Sequence, residues 1–256
     1  MGYENILFEV DGAVARITIN RPPHNVLDIQ TMREINEAIE EAQRVPGLKA
    51  LVVGAAGDRA FSAGVDVRDH TPEKMDEMIE VFHRIFRLLA ACPIPTIAVV
   101  SGMALGGGCE VAAFCDMVIA SDRASFGQPE IKVGVYPSMA VAWFHRVIGL
   151  KKSYELLLTG ETISAVEAER IGLVNQVVPH EELDLAVRRF LSHLTDKSSA
   201  VLKWAKTAMR HGMGVEFERG LEASEIIYKH GLMETEDAKE GISAFLEKRK
   251  PVWKER

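Results

Sequence analysis

Cysteine is scarce in this chain. Only Cys92, Cys109 and Cys115 occur among 256 residues, with no Cys-x-x-Cys pair and no Cys/His ligand spacing. That odd count is typical of a protein from a reducing cytoplasm. No apolar run approaches the roughly 20 residues that span a bilayer, and the opening residues lack the basic and apolar stretches of a signal peptide. We therefore expect a cytoplasmic protein that binds neither a membrane nor a metal ion.

A surplus of positive charge is also missing. The chain has 30 Lys and Arg against 37 Asp and Glu, a formal net charge of -7, and no long run of either sign. A general nucleic-acid-binding protein needs a basic face, so that class is not expected. Because 47% of the residues are hydrophobic, a disordered protein is excluded, and the length fits one main domain with or without a smaller appendage.

The pattern of apolar residues predicts an α/β fold. Residues 6–10 and 14–19 alternate around Asp11-Gly12, which indicates a β-hairpin. Apolar residues then recur at helical spacing over 28–44, with Asp28 placed to cap the helix. Strands and helices alternate after that, which predicts a largely parallel sheet. The segments concerned are the strands 50–53, 96–100, 117–120 and 174–178, and the helix 75–89.

Only helical periodicity remains beyond about residue 183. Four helices are predicted there, over 185–194, 200–210, 217–228 and 238–248. We therefore divide the chain into an α/β body, residues 1–195, and a helical C-terminal region, residues 196–256. Because a helical tail of this kind often buries its second face against another subunit, it also predicts self-association.

Two segments of small residues follow predicted strands. Gly106-Gly107-Gly108 comes after strand 96–100 and before an apolar helical segment, and residues 61–66 come after strand 50–53. Backbone at such positions approaches ligands closely, so two N–H groups could meet one oxygen. The alternative is that the glycines only make tight turns. A phosphate loop is disfavoured, because no Lys-Ser/Thr pair follows and the Gly-x-Gly-x-x-Gly spacing is missing.

Two glutamates accompany the glycines. Glu110 stands at the start of the apolar helical segment, and Glu130 follows twenty residues later in Phe-Gly-Gln-Pro-Glu. Two carboxylates beside a bound oxyanion can move protons to and from a water and a carbon, the chemistry of addition across an activated double bond. Each also has a structural alternative, as a charge at a helix N-terminus for Glu110 and as a loop acid for Glu130. Ser62 lacks a Gly-x-Ser-x-Gly elbow, so a serine hydrolase is disfavoured.

Together these segments resemble the enoyl-CoA hydratase/isomerase, or crotonase, superfamily over nearly the whole chain. The matching segments occur in the family's order and are Asn20-Arg21-Pro22 with Asn25-Val26-Leu27, residues 61–66, Gly106 to Glu110, Phe126 to Glu130, and Leu158-Thr159-Gly160 with Ile163-Ser164-Ala165. The resemblance implies a spiral of ββα units. It also implies a helical C-terminal trimerisation region, and hence a trimer or a hexamer made from two trimers.

The resemblance further implies where an acyl-CoA binds. The thioester oxygen is expected between the backbone N–H groups of Ala63 and Gly107. The coenzyme A chain is expected to border the same loop, so the implied substrate-binding residues there are Ala63, Gly64, Val65 and Asp66. Coenzyme A is part of the substrate, and the implied reaction uses no separate cofactor.

The two glutamates have implied roles in hydration. Glu110 is expected to activate the water that attacks the β-carbon, and Glu130 to deliver a proton to the α-carbon. The presence of both favours a hydratase over an enoyl-CoA isomerase, the alternative within the same fold. RNA binding, which occurs in some members of the superfamily, is the alternative of another class, and no basic helix supports it.

One segment departs from the family pattern. Common hydratases continue with Pro-Gly-Ala-Gly-Gly where this chain has Tyr136-Pro137-Ser138-Met139-Ala140-Val141-Ala142. The difference implies an acyl pocket of another shape, with Tyr136 among the residues that bind the substrate. This segment, together with residues 25–28 and 65–73, is similar to the cyclohexa-1,5-diene-1-carbonyl-CoA hydratases. A cyclic dienoyl-CoA is therefore a candidate substrate.

Overall fold

The computed structural model describes residues 2–256. Within that range it contains ten strands and ten α-helices, numbered in chain order. The strands are β1 (Ile6–Asp11), β2 (Val14–Ile19), β3 (Ala50–Ala55), β4 (Ala60–Ser62), β5 (Thr96–Val100), β6 (Met103–Leu105), β7 (Met117–Ser121), β8 (Ser125–Gly127), β9 (Thr162–Ser164) and β10 (Gln176–Val178). The helices are α1 (Ile29–Arg44), α2 (Met75–Ala91), α3 (Gly107–Phe114), α4 (Ser138–Val147), α5 (Leu150–Thr159), α6 (Ala165–Arg170), α7 (Leu183–Thr195), α8 (Ser199–Gly212), α9 (Phe217–His230) and α10 (Glu236–Leu246).

Six strands form the larger sheet, in the order β1-β2-β3-β5-β7-β10. β1 and β2 are the predicted hairpin, and all other neighbours in this sheet run parallel. The central strands are buried on both faces. In β3, Leu51 and Val53 join the main core, whereas Ala50 and Val52 pack in a second cluster with α7. Burial on both faces explains why these strands read as continuous apolar runs.

Four strands of three residues each form a second sheet, in the order β4-β6-β8-β9. β4, β6 and β8 are parallel, and β9 pairs antiparallel with β8. Each of the first three follows a strand of the larger sheet, so that β3-β4-α2 and β5-β6-α3 are successive turns of a spiral. The predicted ββα spiral is confirmed. The short strands themselves were not predicted, because three residues are too few to show an alternating pattern.

Most predicted helices and strands are present, with differences at their ends. α1 is capped as expected by Asp28, whose carboxylate accepts the N–H of Thr31 at 2.8 Å. The apolar helical segment was predicted over Val111 to Phe114, but α3 begins four residues earlier, at Gly107, so Gly107 and Gly108 belong to its first turn. β10 lacks the first two residues of the predicted strand.

The C-terminal region is helical, as predicted, and no strand follows β10 in the described part of the chain. Asp116, which follows α3, connects this region to the body. Its carboxylate lies 2.6 Å from Nζ of Lys206 and 2.8 Å from Nη2 of Arg210, both on α8. Although burial raises the pKa of Asp116, the charges of Lys206 and Arg210 hold it below its usual range. These ion pairs join the body to the C-terminal region. The division of the chain into two parts after residue 195 therefore stays a prediction.

The last helices expose much apolar surface. α9 buries none of its residues within this chain, and Phe217 at its start is 76% exposed. Phe245 on α10 is 83% exposed. Among residues 2–256, no helix combines the length and the apolar character that crossing a bilayer requires. Exposed apolar surface of this kind is characteristic of an interaction site.

Candidate active site

Two backbone segments from different turns of the spiral meet at Gly64 and Gly107. A Cβ atom placed on Gly64 would lie 3.0 Å from the carbonyl oxygen of Leu105 and 3.3 Å from the backbone nitrogen of Gly107. A Cβ atom on Gly107 would lie 2.8 Å from Cγ2 of Val65 and 3.0 Å from Cζ of Phe82. Glycine is required at both positions, because a side chain would push the loop away from the start of α3.

The N–H groups of Val65 and Gly107 are free at this contact. Val65 forms a parallel bridge with Leu27, in which Leu27 donates to the carbonyl of Gly64 at 2.9 Å and Asp66 donates to the carbonyl of Leu27 at 3.0 Å. The N–H of Val65 itself therefore points to the opposite side. Gly107 is the first residue of α3, where N–H groups have no acceptor within the helix. Neither group donates to any residue in the range 2–256.

The N–H of Ala63 is already used. It donates to the carbonyl oxygen of His24 at 2.9 Å. The prediction that Ala63 supplies an oxyanion donor is therefore wrong in this structure, while Gly107 stays a candidate and Val65 joins it. The bridge between Leu27 and Val65 determines which N–H group of this loop is free. Because the two residues are far apart in the chain, the local sequence pattern could not predict that bridge.

Glu110 lies in the first turn of α3 and is 2% exposed. Its Oε1 atom accepts the backbone N–H groups of Met139 and Ala140, at 2.9 and 2.7 Å, in the first turn of α4. Burial, together with the negative charge of Glu130, raises the pKa of Glu110 to about 8, although the two N–H groups act in the opposite direction. Glu110 is thus a buried carboxyl group that resists ionisation.

Glu130 lies in the 3₁₀ turn Pro129–Val133, directly after β8. Its Oε1 atom would be 2.5 Å from a Cβ atom placed on Gly106, whose φ of +52° also favours glycine. Gln128 is fully buried, and with its amide nitrogen turned toward Glu130 it donates to both carboxylate oxygens, at 3.2 and 3.3 Å. Burial raises the pKa of Glu130 to about 6.

Near neutral pH the two carboxyl groups share one proton, because burial raises the pKa of both, that of Glu110 to about 8 and that of Glu130 to about 6. One protonated and one ionised carboxyl group beside two free N–H donors can supply a proton, remove another and stabilise a developing oxyanion. Of the two, Glu110 has the higher pKa, although the implied roles make it the base.

Two further predicted binding residues have other surroundings. Asp66 accepts a hydrogen bond from Nη2 of Arg68 at 2.6 Å. The hydrogen bonds with Arg68 outweigh burial and lower the pKa of Asp66 to about 2, so its side chain is committed to that arginine. Tyr136 precedes α4 and is 68% exposed, at the surface rather than in an enclosed pocket. A ligand contact for either residue stays a prediction.

Two polar residues at the turn that holds Glu110 were not linked to each other from the sequence. His83 on α2 and Ser138, the first residue of α4, are joined by a hydrogen bond of 2.7 Å between Nε2 and Oγ. They are 55 residues apart and become neighbours only through the packing of two helices. No spacing rule for catalytic residues would have linked them.

A separate groove lies between β10 and α7, and its lining includes Gln176, Leu185 and Arg189. None of the predicted site residues lines it, so the chemistry favours the paired carboxyl groups as the site. Within residues 2–256, no group of three or more His, Cys, Asp or Glu side chains is arranged to hold a metal ion.

Comparison with known proteins identifies the family to which this site belongs. The family model described as enoyl-CoA hydratase/isomerase matches residues 9–256. The chain therefore belongs to the enoyl-CoA hydratase/isomerase family. The resemblance recognised in the sequence and the prediction of an enzyme are confirmed.

Individual relatives match over nearly their full lengths. The crotonyl-CoA hydratase of Syntrophomonas wolfei is 38% identical over 98% of each protein. The cyclohexa-1,5-dienecarbonyl-CoA hydratase of Thauera aromatica is 33% identical over 98% of this chain and 96% of that protein. The crystal structure of an enoyl-CoA hydratase from Bacillus anthracis has a TM-score of 0.94 at 29% identity, covering 99% of this chain and 100% of that one. The predicted fold is thereby confirmed.

We expect infrared spectroscopy to distinguish the two carboxyl groups. Because burial raises the pKa of Glu110 to about 8, the protein should show a protonated carboxyl band near neutral pH that disappears as the pH rises through that value. Glu110→Gln should remove this band. Glu130→Gln should move its midpoint to lower pH, because the negative charge that raises the pKa of Glu110 is then gone.

Glu34→Gln is the matched control. Glu34 is another buried glutamate, on α1, and its carboxylate accepts the N–H groups of Glu4 and Asn5. Its replacement should leave the band and the midpoint unchanged. A band that survives in Glu110→Gln would contradict the raised pKa of that residue.

Proposed function

We propose that the protein hydrates an α,β-unsaturated acyl-CoA. The observation that carries this proposal is the convergence of Glu110 and Glu130, two carboxyl groups of raised pKa, beside the free N–H groups of Val65 and Gly107. These residues come from separate segments of the chain, so their convergence is a product of the fold. The names of the hydratase relatives support the same reaction.

The proposed reaction follows from these groups. The thioester oxygen accepts hydrogen bonds from the N–H groups of Val65 and Gly107, which draw charge away from the conjugated double bond. The oxygen of a water bonds to the β-carbon while the π electrons move toward the thioester oxygen. One proton of that water passes to the ionised carboxylate, and the protonated carboxyl group delivers its proton to the α-carbon. The pair ends with one proton, as it began.

Replacing either carboxyl group by an amide should abolish hydration but not binding. Glutamine keeps the size of the side chain and cannot exchange an acidic proton. We therefore expect Glu110→Gln and Glu130→Gln each to lower kcat for hydration by about 10² to 10⁴-fold, with the Kd of a saturated acyl-CoA unchanged. Isotope-labelled water should enter the product, whereas an isomerase adds none. Retained turnover in both variants would remove the two-carboxyl mechanism.

The same variants assign the two roles. Exchange of the α-hydrogens of butyryl-CoA with solvent deuterium needs only the group that serves the α-carbon. Loss of exchange in Glu130→Gln alone supports Glu130 as the group that serves the α-carbon. Loss in Glu110→Gln alone assigns that role to Glu110, the residue with the higher pKa.

Two glycine variants provide a control that leaves both carboxyl groups in the chain. A Cβ atom on Gly106 would meet Oε1 of Glu130 at 2.5 Å, so Gly106→Ala should displace that carboxylate and lower kcat. Gly12 has a similar φ, +56° against +52°, and no atom within 4 Å of its Cβ position. Gly12→Ala, at another position of positive φ, should therefore leave kcat unchanged.

We propose a cyclic dienoyl-CoA as the substrate within this class. The departure of residues 136–142 from the glycine-rich family pattern supports a pocket of another shape, and it falls on the turn that holds Glu110. We expect kcat/KM for cyclohexa-1,5-diene-1-carbonyl-CoA to exceed that for crotonyl-CoA and for longer linear enoyl-CoAs at least about tenfold, a difference of about 1.4 kcal/mol. A preference for crotonyl-CoA would overturn this choice of substrate.

We also propose that the C-terminal helices associate with other copies of the chain. α9 buries no residue of its own and exposes Phe217 and Ile226, and α10 exposes Phe245. Sedimentation should show a trimer or a hexamer, and Phe217→Glu should weaken it. Leu185→Glu, at an exposed apolar residue on α7, is the matched control. A monomeric wild-type protein would contradict the proposal.

A further inference from the structure

A hydrogen bond between α2 and α4 lies next to the backbone groups that hold Glu110. Nε2 of His83 is 2.7 Å from Oγ of Ser138. Ser138 is the first residue of α4, and the next two residues, Met139 and Ala140, donate their N–H groups to Oε1 of Glu110 at 2.9 and 2.7 Å. His83 is thus connected to Glu110 through one helical turn.

The first turn of α4 has few other restraints. Its N-cap residue, Pro137, offers no side-chain hydrogen bond, and each of the residues 131–136 before it is exposed. Within the described chain, Glu110 and His83 are the side chains from other helices that hydrogen-bond to this turn. Without His83, the turn would depend on Glu110 itself and on apolar packing for its position.

We propose that His83 is a positioning residue, which acts through Ser138 to hold the N–H groups of Met139 and Ala140 against Oε1 of Glu110. This inference rests on the proposed role of Glu110 in proton transfer. The contact requires the hydroxyl group of Ser138, and common hydratases have a glycine at this position after the proline. It therefore lies in the segment 136–142, where this chain departs from the Pro-Gly-Ala-Gly-Gly pattern.

His83 makes this contact as a neutral ring. Burial, together with the positive charge of Arg87 further along α2, lowers the pKa of His83. The N-terminus of α4 adds a partial positive charge on the other side, which also disfavours a charged ring. Arg87 is the charged group that lowers the pKa of His83, and Glu110 is connected to the contact through the N–H groups of Met139 and Ala140. A neutral His83 fixes the turn without adding a charge beside Glu110.

The test combines the infrared midpoint of Glu110 with the kinetics of the enoyl-CoA that the protein hydrates best. His83→Leu and Ser138→Ala each remove the hydrogen bond. Because the N–H groups of α4 lower the pKa of Glu110, a loosened turn should move the midpoint to higher pH. We also expect kcat to fall about three- to tenfold, with KM changed by less than about twofold. His83→Gln, which keeps a hydrogen-bonding group, should restore most of kcat.

A double variant separates one shared contact from two independent effects. His83→Leu with Ser138→Ala should behave like either single variant, because both changes remove the same bond. Additive effects, an unchanged midpoint in both single variants, or a change in KM alone would each overturn the proposal. Arg84→Ala is the control on α2, since Arg84 is exposed and pairs with Glu40 on α1, and it should change neither readout. Ser138→Ala carries the test if His83→Leu does not fold.

The infrared midpoint of Glu110 can be measured without turnover. Failure of the proposed hydratase function can therefore be distinguished from failure of the proposed role of His83. If the wild-type protein hydrates no enoyl-CoA, the proposed function fails and the midpoint still tests the contact. If the wild type is active, Glu110→Gln is inactive, and the His83 and Ser138 variants match the wild type in both readouts, only the positioning role fails.

Discussion

The approach of two backbones at Gly64 and Gly107 is the constraint on which the site depends. It leaves the N–H groups of Val65 and Gly107 at the same contact without protein acceptors, and such groups cost about 1 to 3 kcal/mol each when they are also removed from water. The fold offsets this cost elsewhere. Asn25, which is 1% exposed, donates to the carbonyl oxygen of Ala60 at 2.7 Å and so holds the start of the same loop. The donors are therefore in place before any ligand binds.

The paired carboxyl groups follow from the same arrangement. The glycine turn that brings two backbones together also starts α3, which carries Glu110 into the core, and it leaves room at Gly106 for the carboxylate of Glu130. A buried carboxyl group loses hydration, and each additional negative charge nearby raises the cost of ionising it. Glu110 regains part of that loss from two N–H groups of α4, and Glu130 from the amide of Gln128. Two carboxyl groups held in this way share one proton.

The sequence predicted the features that local pattern controls. The hairpin, the Asp28 cap of α1 and the four C-terminal helices depend on periodicity and capping, and all are present. Glu110 was recognised as a candidate because a charge among apolar helical residues is unusual. Ala63 was chosen where the structure favours Val65, because the bridge to Leu27 joins distant segments. The three-residue strands and the contact between His83 and Ser138 likewise arise only from tertiary packing.

The side chains and the backbone of the first turn of α4 serve different purposes, and a substitution there would affect both. Its side chains belong to the segment in which this chain departs from the common hydratases, while its backbone N–H groups hold Glu110. Met139 and Ala140 are buried, so a larger or smaller residue at either position would also move the backbone that holds Glu110. A new acyl group can therefore be accommodated at this turn only if another contact keeps the N–H groups in place. The hydrogen bond from His83 on α2 to Ser138 is such a contact, because it holds the start of the turn from another helix and does not involve the side chains of Met139 and Ala140.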